Sequence, residues 1–209
     1  MDTNLLANLL NGSLCLISLF IAVRAFVRYF QLRSPRLIIL VLSMSMIALT
    51  AAADIVGENV AGMKLNTNWF LYIGQTVSFG YIFLSLFCRS DRSLRHLLLW
   101  QIIMSVPLLS LLVLSPIMPA FPDLTSQAIL SGSRGLICFL IFSRYLSSFL
   151  TTKQTFFGLL MSIAFLALSV GYLLILFTLF FAHMDIVDQI GDIIRIGGLV
   201  VLLVGYVLG

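Results

Sequence analysis

The chain has 209 residues, of which 61% are hydrophobic and only 10% are charged, and its mean hydropathy is +1.13. Soluble domains are roughly 45–50% apolar and about 25% charged, so this composition excludes a water-soluble globular domain and a polar disordered chain. The formal net charge is +4. Because the basic residues form small separate clusters and no single stripe, nucleic-acid binding is excluded as well.

Seven apolar runs reach the length of about 20 residues that a membrane-crossing helix needs. In chain order they lie at 5–30, 37–57, 68–88, 97–118, 127–150, 155–182 and 188–208. The runs are continuous, whereas the strands of a membrane β-barrel alternate apolar and polar residues. The sequence therefore predicts an all-α integral membrane protein whose seven transmembrane helices form a single polytopic domain over residues 1–209.

Two features refine this prediction. Pro107 and Pro116 fall within the fourth run, and we expect them to kink that helix. The two histidines, His96 and His183, fall in predicted loops, and the three cysteines form no Cys-x-x-Cys pair. Because a buried haem or zinc site needs such ligands at membrane depth, we expect no metal and no cofactor.

Charged residues are distributed unevenly between the two predicted membrane faces. Nine of the twelve basic residues fall on one side: Arg24, Arg28, Arg33, Arg36, Arg89, Arg92, Arg95, Arg144 and Lys153. Seven of the eight acidic residues fall on the other: Asp2, Asp54, Glu58, Asp123, Asp185, Asp188 and Asp192. Because cytoplasmic loops concentrate Lys and Arg, we expect a multi-pass plasma-membrane protein with its N-terminus outside and its C-terminus inside.

The first three spans resemble the last three in sequence. The matched segments are residues 10–13 with 130–133, 42–50 with 161–169, and 73–75 with 190–192. This pattern predicts two three-helix repeats, 5–88 and 127–208, joined by an inverting linker helix at 97–118. Since the linker restores the orientation, the repeats are expected to be parallel, about an axis along the membrane normal.

The 3+1+3 plan resembles the SWEET-type sugar carriers, and that resemblance implies small-solute transport. Those carriers have a proline in the first helix of each repeat, whereas spans one and five contain none. The runs from Arg24 to Leu37 and from Gln189 to Leu199 are similar to the seven-helix sensor regions at the N-termini of bacterial and archaeal histidine kinases and cyclases. This second resemblance implies a sensory role and assigns no catalytic residue.

Polar residues within the spans are the candidate functional residues, because an ionisable group near the bilayer centre costs at least about 2.5–3.5 kcal/mol. In the last span, spacings of i, i+4 and i+7 place two aspartates and an arginine on one helix face, with the arginine about 12 Å below the outer end. The candidate ligand-binding residues, all expected in the outer half, are Arg134, Arg195, Asp192, Asp188, Asp54, Glu58, Gln75 and Trp69. They either form a ligand pocket or pair with one another and tie the helices together.

Enzymatic activity is not expected, because no nucleophile–base pair or metal-ligand set converges at one depth. Asp54 and Asp192 are the one pair available to an intramembrane aspartyl protease, and the sequence around them lacks the rest of that pattern. A retinal protein needs a lysine in the seventh span, and no lysine follows Lys153. The catalytic set is therefore expected to be empty.

Gly191, Gly198 and Gly205 recur every seven residues and form a smooth strip along the last span. The strip is expected to pack inside the bundle or to dock a partner membrane protein. The chain ends at Gly209 at the predicted membrane edge, as expected for a module without a cytoplasmic tail or for the membrane part of a longer protein.

Three functions remain open at this point. The first is a sensory or transducing module that detects a small ligand or the membrane state near its outer face and signals inward, to a partner membrane protein or a cytoplasmic effector. The second is a small-solute transporter that rocks the two repeats. The third is a structural subunit of a larger complex, docked through the glycine strip. In each case the lipid bilayer is a partner and nucleic acid is not.

Overall fold

The structure, a computed structural model, describes residues 3–59, 65–88, 90–119, 124–152, 156–180 and 185–208. Within these residues the regular elements are seven α-helices, each long and apolar enough to cross a membrane. They are α1 (Thr3–Leu32), α2 (Pro35–Asn59), α3 (Asn68–Phe87), α4 (Asp91–Val113), α5 (Leu124–Thr152), α6 (Phe156–Phe180) and α7 (Asp185–Leu208). The predicted all-α class with seven apolar helices of spanning length is confirmed.

The predicted start of the fourth helix was wrong. The apolar run begins at residue 97, but α4 begins at Asp91, because the Ser90 side chain accepts a hydrogen bond from the backbone N–H of Arg92 and caps the helix. His96, predicted in a loop, therefore lies in the second turn of α4, with its Nδ1 2.8 Å from the carbonyl oxygen of Arg92. His183 lies outside the described residues.

The predicted end of the fourth helix was also wrong. The helix ends at Val113, and residues 114–117 form a turn, so Pro116 lies beyond the helix and Pro107 lies within it. A proline disfavours the helical conformation of the residue before it, which explains why the helix ends ahead of Pro116. The residues of the turn are mostly apolar, so the apolar run continues through it. Hydropathy therefore does not show where the backbone leaves the helical conformation.

Residues 14–123 form one compact unit that contains α2, α3, α4 and most of α1. In this unit α2 packs against both α3 and α4. Of the residues in an apolar 18-residue stretch, 56% are buried in α2 and 11% in α4. α2 is therefore the more buried of these two helices, and α4 exposes most of its surface. The Thr67 hydroxyl bonds Asp54 at one end of α2, and Arg36 bonds the Cys88 carbonyl at the other, as expected for antiparallel α2 and α3.

Residues 1–13 and 124–209 form the second unit, in which α6 packs against both α5 and α7. The glycine strip of α7 lies in the α6–α7 contact. A Cβ atom at Gly198 would lie 3.1 Å from the carbonyl oxygen of Ala164, and one at Gly205 would lie 3.3 Å from Cβ of Leu160. The glycines therefore allow close packing within the unit, as the first of the two alternatives for the strip expects.

Candidate functional site

Four polar side chains from three neighbouring helices form a charged cluster in the second unit. It consists of Arg134 on α5, Tyr172 on α6, and Asp192 and Arg195 on α7. The Tyr172 ring is its centre, because the guanidinium carbon of Arg134 lies 4.8 Å from the ring centroid and that of Arg195 lies 5.2 Å from it. Both distances are within the range of a cation–π interaction. Arg134 and Tyr172 are almost completely buried.

Arg195 forms an ion pair with Asp192, from its Nη2 to the carboxylate Oδ1. The two residues are three positions apart on α7, so they face the same side of the helix. Their side chains are only 13% and 11% exposed. The Nε–H of Arg195 is also buried, and it has no hydrogen-bond acceptor among the residues that the structure describes. The guanidinium of Arg195 is therefore paired at Nη2, while its buried Nε–H lacks a hydrogen-bond acceptor among the described residues.

Small residues make room for this arrangement. A Cβ atom at Gly171 would overlap the Arg195 side chain and would lie 2.8 Å from the carbonyl oxygen of Gly191. The glycine at 171 thus lets α7 approach α6 and lets the arginine pass across it. On the other side of α6, the Ser169 hydroxyl donates to the carbonyl oxygen of Gly135 at 2.9 Å and holds α5 against α6.

Arg134 and Arg195 lie at the same distance along their helices. Arg134 and Arg195 each follow the first residue of their helix by ten positions, which corresponds to about 15 Å at 1.5 Å per residue. The hydrocarbon core of a bilayer is about 30 Å thick, so this is roughly mid-depth for a helix that begins at the membrane surface. The predicted distance of about 12 Å was counted from a span that begins at residue 188, whereas α7 begins at Asp185.

The other predicted site residues are distributed over α7, α2 and α3. Asp188 is exposed on α7, and the side chain of Glu58 lies outside the described residues. Asp54, Gln75 and Trp69 belong to the other unit. There Asp54 is buried and accepts a hydrogen bond from Thr67, Gln75 is buried, and Trp69 donates to the carbonyl oxygen of Pro119.

Tyr172 and Gln101 are buried and were not among the residues predicted from the sequence. Tyr172 gave no signal, because an aromatic residue in an apolar span is usually a packing residue. Gln101 had a signal, since an amide in the interior of an apolar run must find hydrogen-bond partners. Its Nε2 donates to the carbonyl oxygen of Ile39 at 3.2 Å and to the hydroxyl of Ser43 at 2.9 Å, and both bonds join α4 to α2.

The charged cluster contains groups that can bind a ligand. Two guanidiniums and a tyrosine ring can bind a hydrogen-bond acceptor or an anion. In the described part of the chain, no group of three His, Cys, Asp or Glu side chains is placed to hold a metal ion. Comparison with protein-family models, curated proteins and solved structures finds no match to this chain.

Proposed function

We propose that this protein is a seven-helix membrane sensory or transducing module that binds a small ligand at the charged cluster. The observation that carries the proposal is the buried Nε–H of Arg195, which has no acceptor among the described residues. A buried donor without an acceptor costs about 1–3 kcal/mol, and a charged one more. A ligand with a carboxylate, phosphate or carbonyl oxygen supplies that acceptor.

Binding at this place would alter how three helices pack. Arg195 is held by Asp192 on its own helix and by Tyr172 on α6, and Tyr172 also contacts Arg134 on α5. An acceptor ligand that engages Arg195 competes with these contacts. It therefore favours whichever arrangement of α5, α6 and α7 binds it more tightly, which is the thermodynamic requirement for a ligand-driven switch.

The proposal includes an orientation and a repeat plan. The N-terminus lies outside the plasma membrane and the C-terminus inside, with two parallel three-helix repeats joined by α4. The end at which α5 and α7 begin then faces outward, so the ligand enters from the outer side. The basic turns on the inner side are the contacts for a partner membrane protein or a cytoplasmic effector.

Native mass spectrometry of the protein, gently extracted from its own membrane, tests this function. We expect a small molecule to remain bound to the wild-type chain and to be lost in Arg195→Met, which keeps the length of the side chain but removes every donor. Arg92→Met is the matched control, because Arg92 is an exposed arginine in the first turn of α4. The control variant should retain the molecule.

The outcomes separate the three functions. Loss of the molecule in Arg195→Met alone supports the ligand site. Retention in both variants, or a wild-type chain that carries no small molecule, contradicts it. A second protein chain at fixed stoichiometry would instead identify a structural subunit of a complex.

A small-solute transporter is the second candidate, and one observation favours it. Buried polar groups occur near mid-depth in both units, with Gln101 and Ser43 in one and the charged cluster in the other. Carriers built from repeats place their substrate sites at this depth. Flux of the identified molecule into liposomes that contain the protein would favour a transporter, and binding without flux favours the sensory module.

A further inference from the structure

The side-chain amide of Gln101 has a fixed orientation. Its Nε2 donates to the carbonyl oxygen of Ile39, and because a carbonyl only accepts hydrogen bonds, the nitrogen must face α2. The amide oxygen Oε1 is therefore the terminal atom of the side chain that does not contact the Ile39 carbonyl. Gln101 is only 5% exposed, and its Oε1 is buried without a hydrogen-bond partner among the described residues.

A small cavity lies beside this amide, between α2, α3 and α4. Its polar lining consists of Gln101, Ser78, Tyr81 and Ser105, and aliphatic and methionine side chains complete the wall. About 10 Å³ of it is open to the centre of a water molecule, which is enough for one water or one hydroxyl group. The Ser105 hydroxyl donates to the backbone carbonyl of Gln101, so its oxygen is left to accept.

We propose that this cavity is a binding site for one neutral hydroxyl group, supplied by a water molecule or by a small alcohol. The hydroxyl hydrogen is donated to Oε1 of Gln101, and the hydroxyl oxygen accepts from Ser78 or Tyr81. Two to four polar partners are what a buried water needs, and the lining provides four. No residue in the lining is charged at neutral pH, so an ion would lose its hydration without compensation.

The site is distinct from the charged cluster, since all of its lining belongs to the unit of residues 14–123. Gln101 follows the first residue of α4 by ten positions, or about 15 Å, so the hydroxyl lies deep in a membrane-spanning bundle. There it joins α3 and α4 through hydrogen bonds, while Nε2 of Gln101 joins α4 to α2. The bound hydroxyl thus completes a polar connection among three helices.

Solid-state NMR of the isotope-labelled protein in lipid bilayers tests the site. The measurement is the rate at which magnetisation passes from water to the side chains of Gln101 and Ser105. In wild type we expect a rate close to that of residues at the membrane surface, in spite of the depth. Gln101→Leu should slow the transfer to Ser105 several-fold, and Tyr81→Phe, which keeps the ring, should slow it less.

A second arm, with ¹³C-methanol as the probe, distinguishes the two sources of the hydroxyl. Saturable cross-peaks between methanol and Ser105, with a matching loss of water transfer, identify an alcohol site. Fast water transfer that methanol does not change identifies a water site. Ser110→Ala is the control, because Ser110 is exposed on α4 and bonds the Pro107 carbonyl. Slow water transfer in wild type together with no methanol cross-peaks overturns the proposal.

Discussion

Arg195 and Asp192 form an ion pair inside a membrane-spanning helix, where water cannot replace a lost partner. Each of the two side chains is nearly nine-tenths buried, and removal of one member of a buried pair leaves an uncompensated charge. Removal of both members leaves neither charge of the pair, although the contact between Arg195 and Tyr172 is also lost. The stability of single and double variants therefore separates the ion pair from the rest of the cluster.

We expect Asp192→Leu and Arg195→Met each to lower the free energy of unfolding, with a cost of about 3–5 kcal/mol for Asp192→Leu, which leaves the arginine unpaired. The double variant should be more stable than Asp192→Leu. Unfolding by denaturing detergent in lipid bicelles measures all four proteins. Additive losses in the double variant would contradict a stabilising ion pair. Ligand loss should persist in the double variant even where stability recovers, because the donors of Arg195 are still missing.

At the scale of the helix, α6 and α7 pack closely because several residues at their contact are glycines, which have no side chain. Gly171, Gly191 and Gly198 lie where a Cβ atom would meet backbone or side-chain atoms of the facing helix at 3.4 Å or less. Without a hydrophobic driving force between helices in lipid, such close packing is a main source of association. The same contact places Arg195 against Tyr172, so the packing of α7 and the charged cluster depend on each other.

Adjacent glycines on α7 provide a matched test of this contact. Gly198 faces Ala164 and Ala167 of α6 at 3.1 Å, whereas a Cβ atom at Gly197 would have nothing within 4 Å. Gly198→Ala should destabilise the protein by about 1–3 kcal/mol through overpacking. Gly197→Ala should stabilise it by about 0.5–1 kcal/mol, because alanine loses less backbone entropy in a helix. Equal thermal stabilities of the two variants would contradict the packing assigned to the strip.

At the scale of the whole molecule, the distribution of charge is the feature from which we predict the membrane orientation. The chain is divided into two compact units. In one unit α6 packs against α5 and α7, and in the other α2, α3 and α4 pack against one another. The nine basic residues of the predicted inner side come from the sequence of both units. The positive-inside tendency applied to these residues is the reason why we propose an external N-terminus.

Two cysteine substitutions at opposite ends of α3 test this orientation in intact cells. Asn68 and Ser90 are both exposed, and α3 separates them, so they lie on opposite membrane faces. In a background without the native cysteines, Asn68→Cys should react with a membrane-impermeant maleimide in intact cells. Ser90→Cys should react only after the membrane is opened. The reverse pattern would show that the N-terminus is inside.

The sequence by itself determined the class and the number of helices, because long continuous apolar runs leave a chain no soluble alternative. It also identified Arg134, Asp192 and Arg195, since charge within an apolar run is visible without any structure. The ends of α4 were not determined by hydropathy, because the Ser90 cap and the turn before Pro116 are local backbone effects that composition does not record.

Only the tertiary structure decided which residues meet. Tyr172 joins the charged cluster because α6 lies between α5 and α7, and Asp188 stays exposed although it shares a helix with Asp192. The tertiary structure also decided the hydrogen-bond partners of Gln101, because Ile39 and Ser43 are about 60 residues away in the chain. Helix periodicity predicts which residues share a face, but contact between helices depends on which small residues let them approach, and this is a property of the packed molecule.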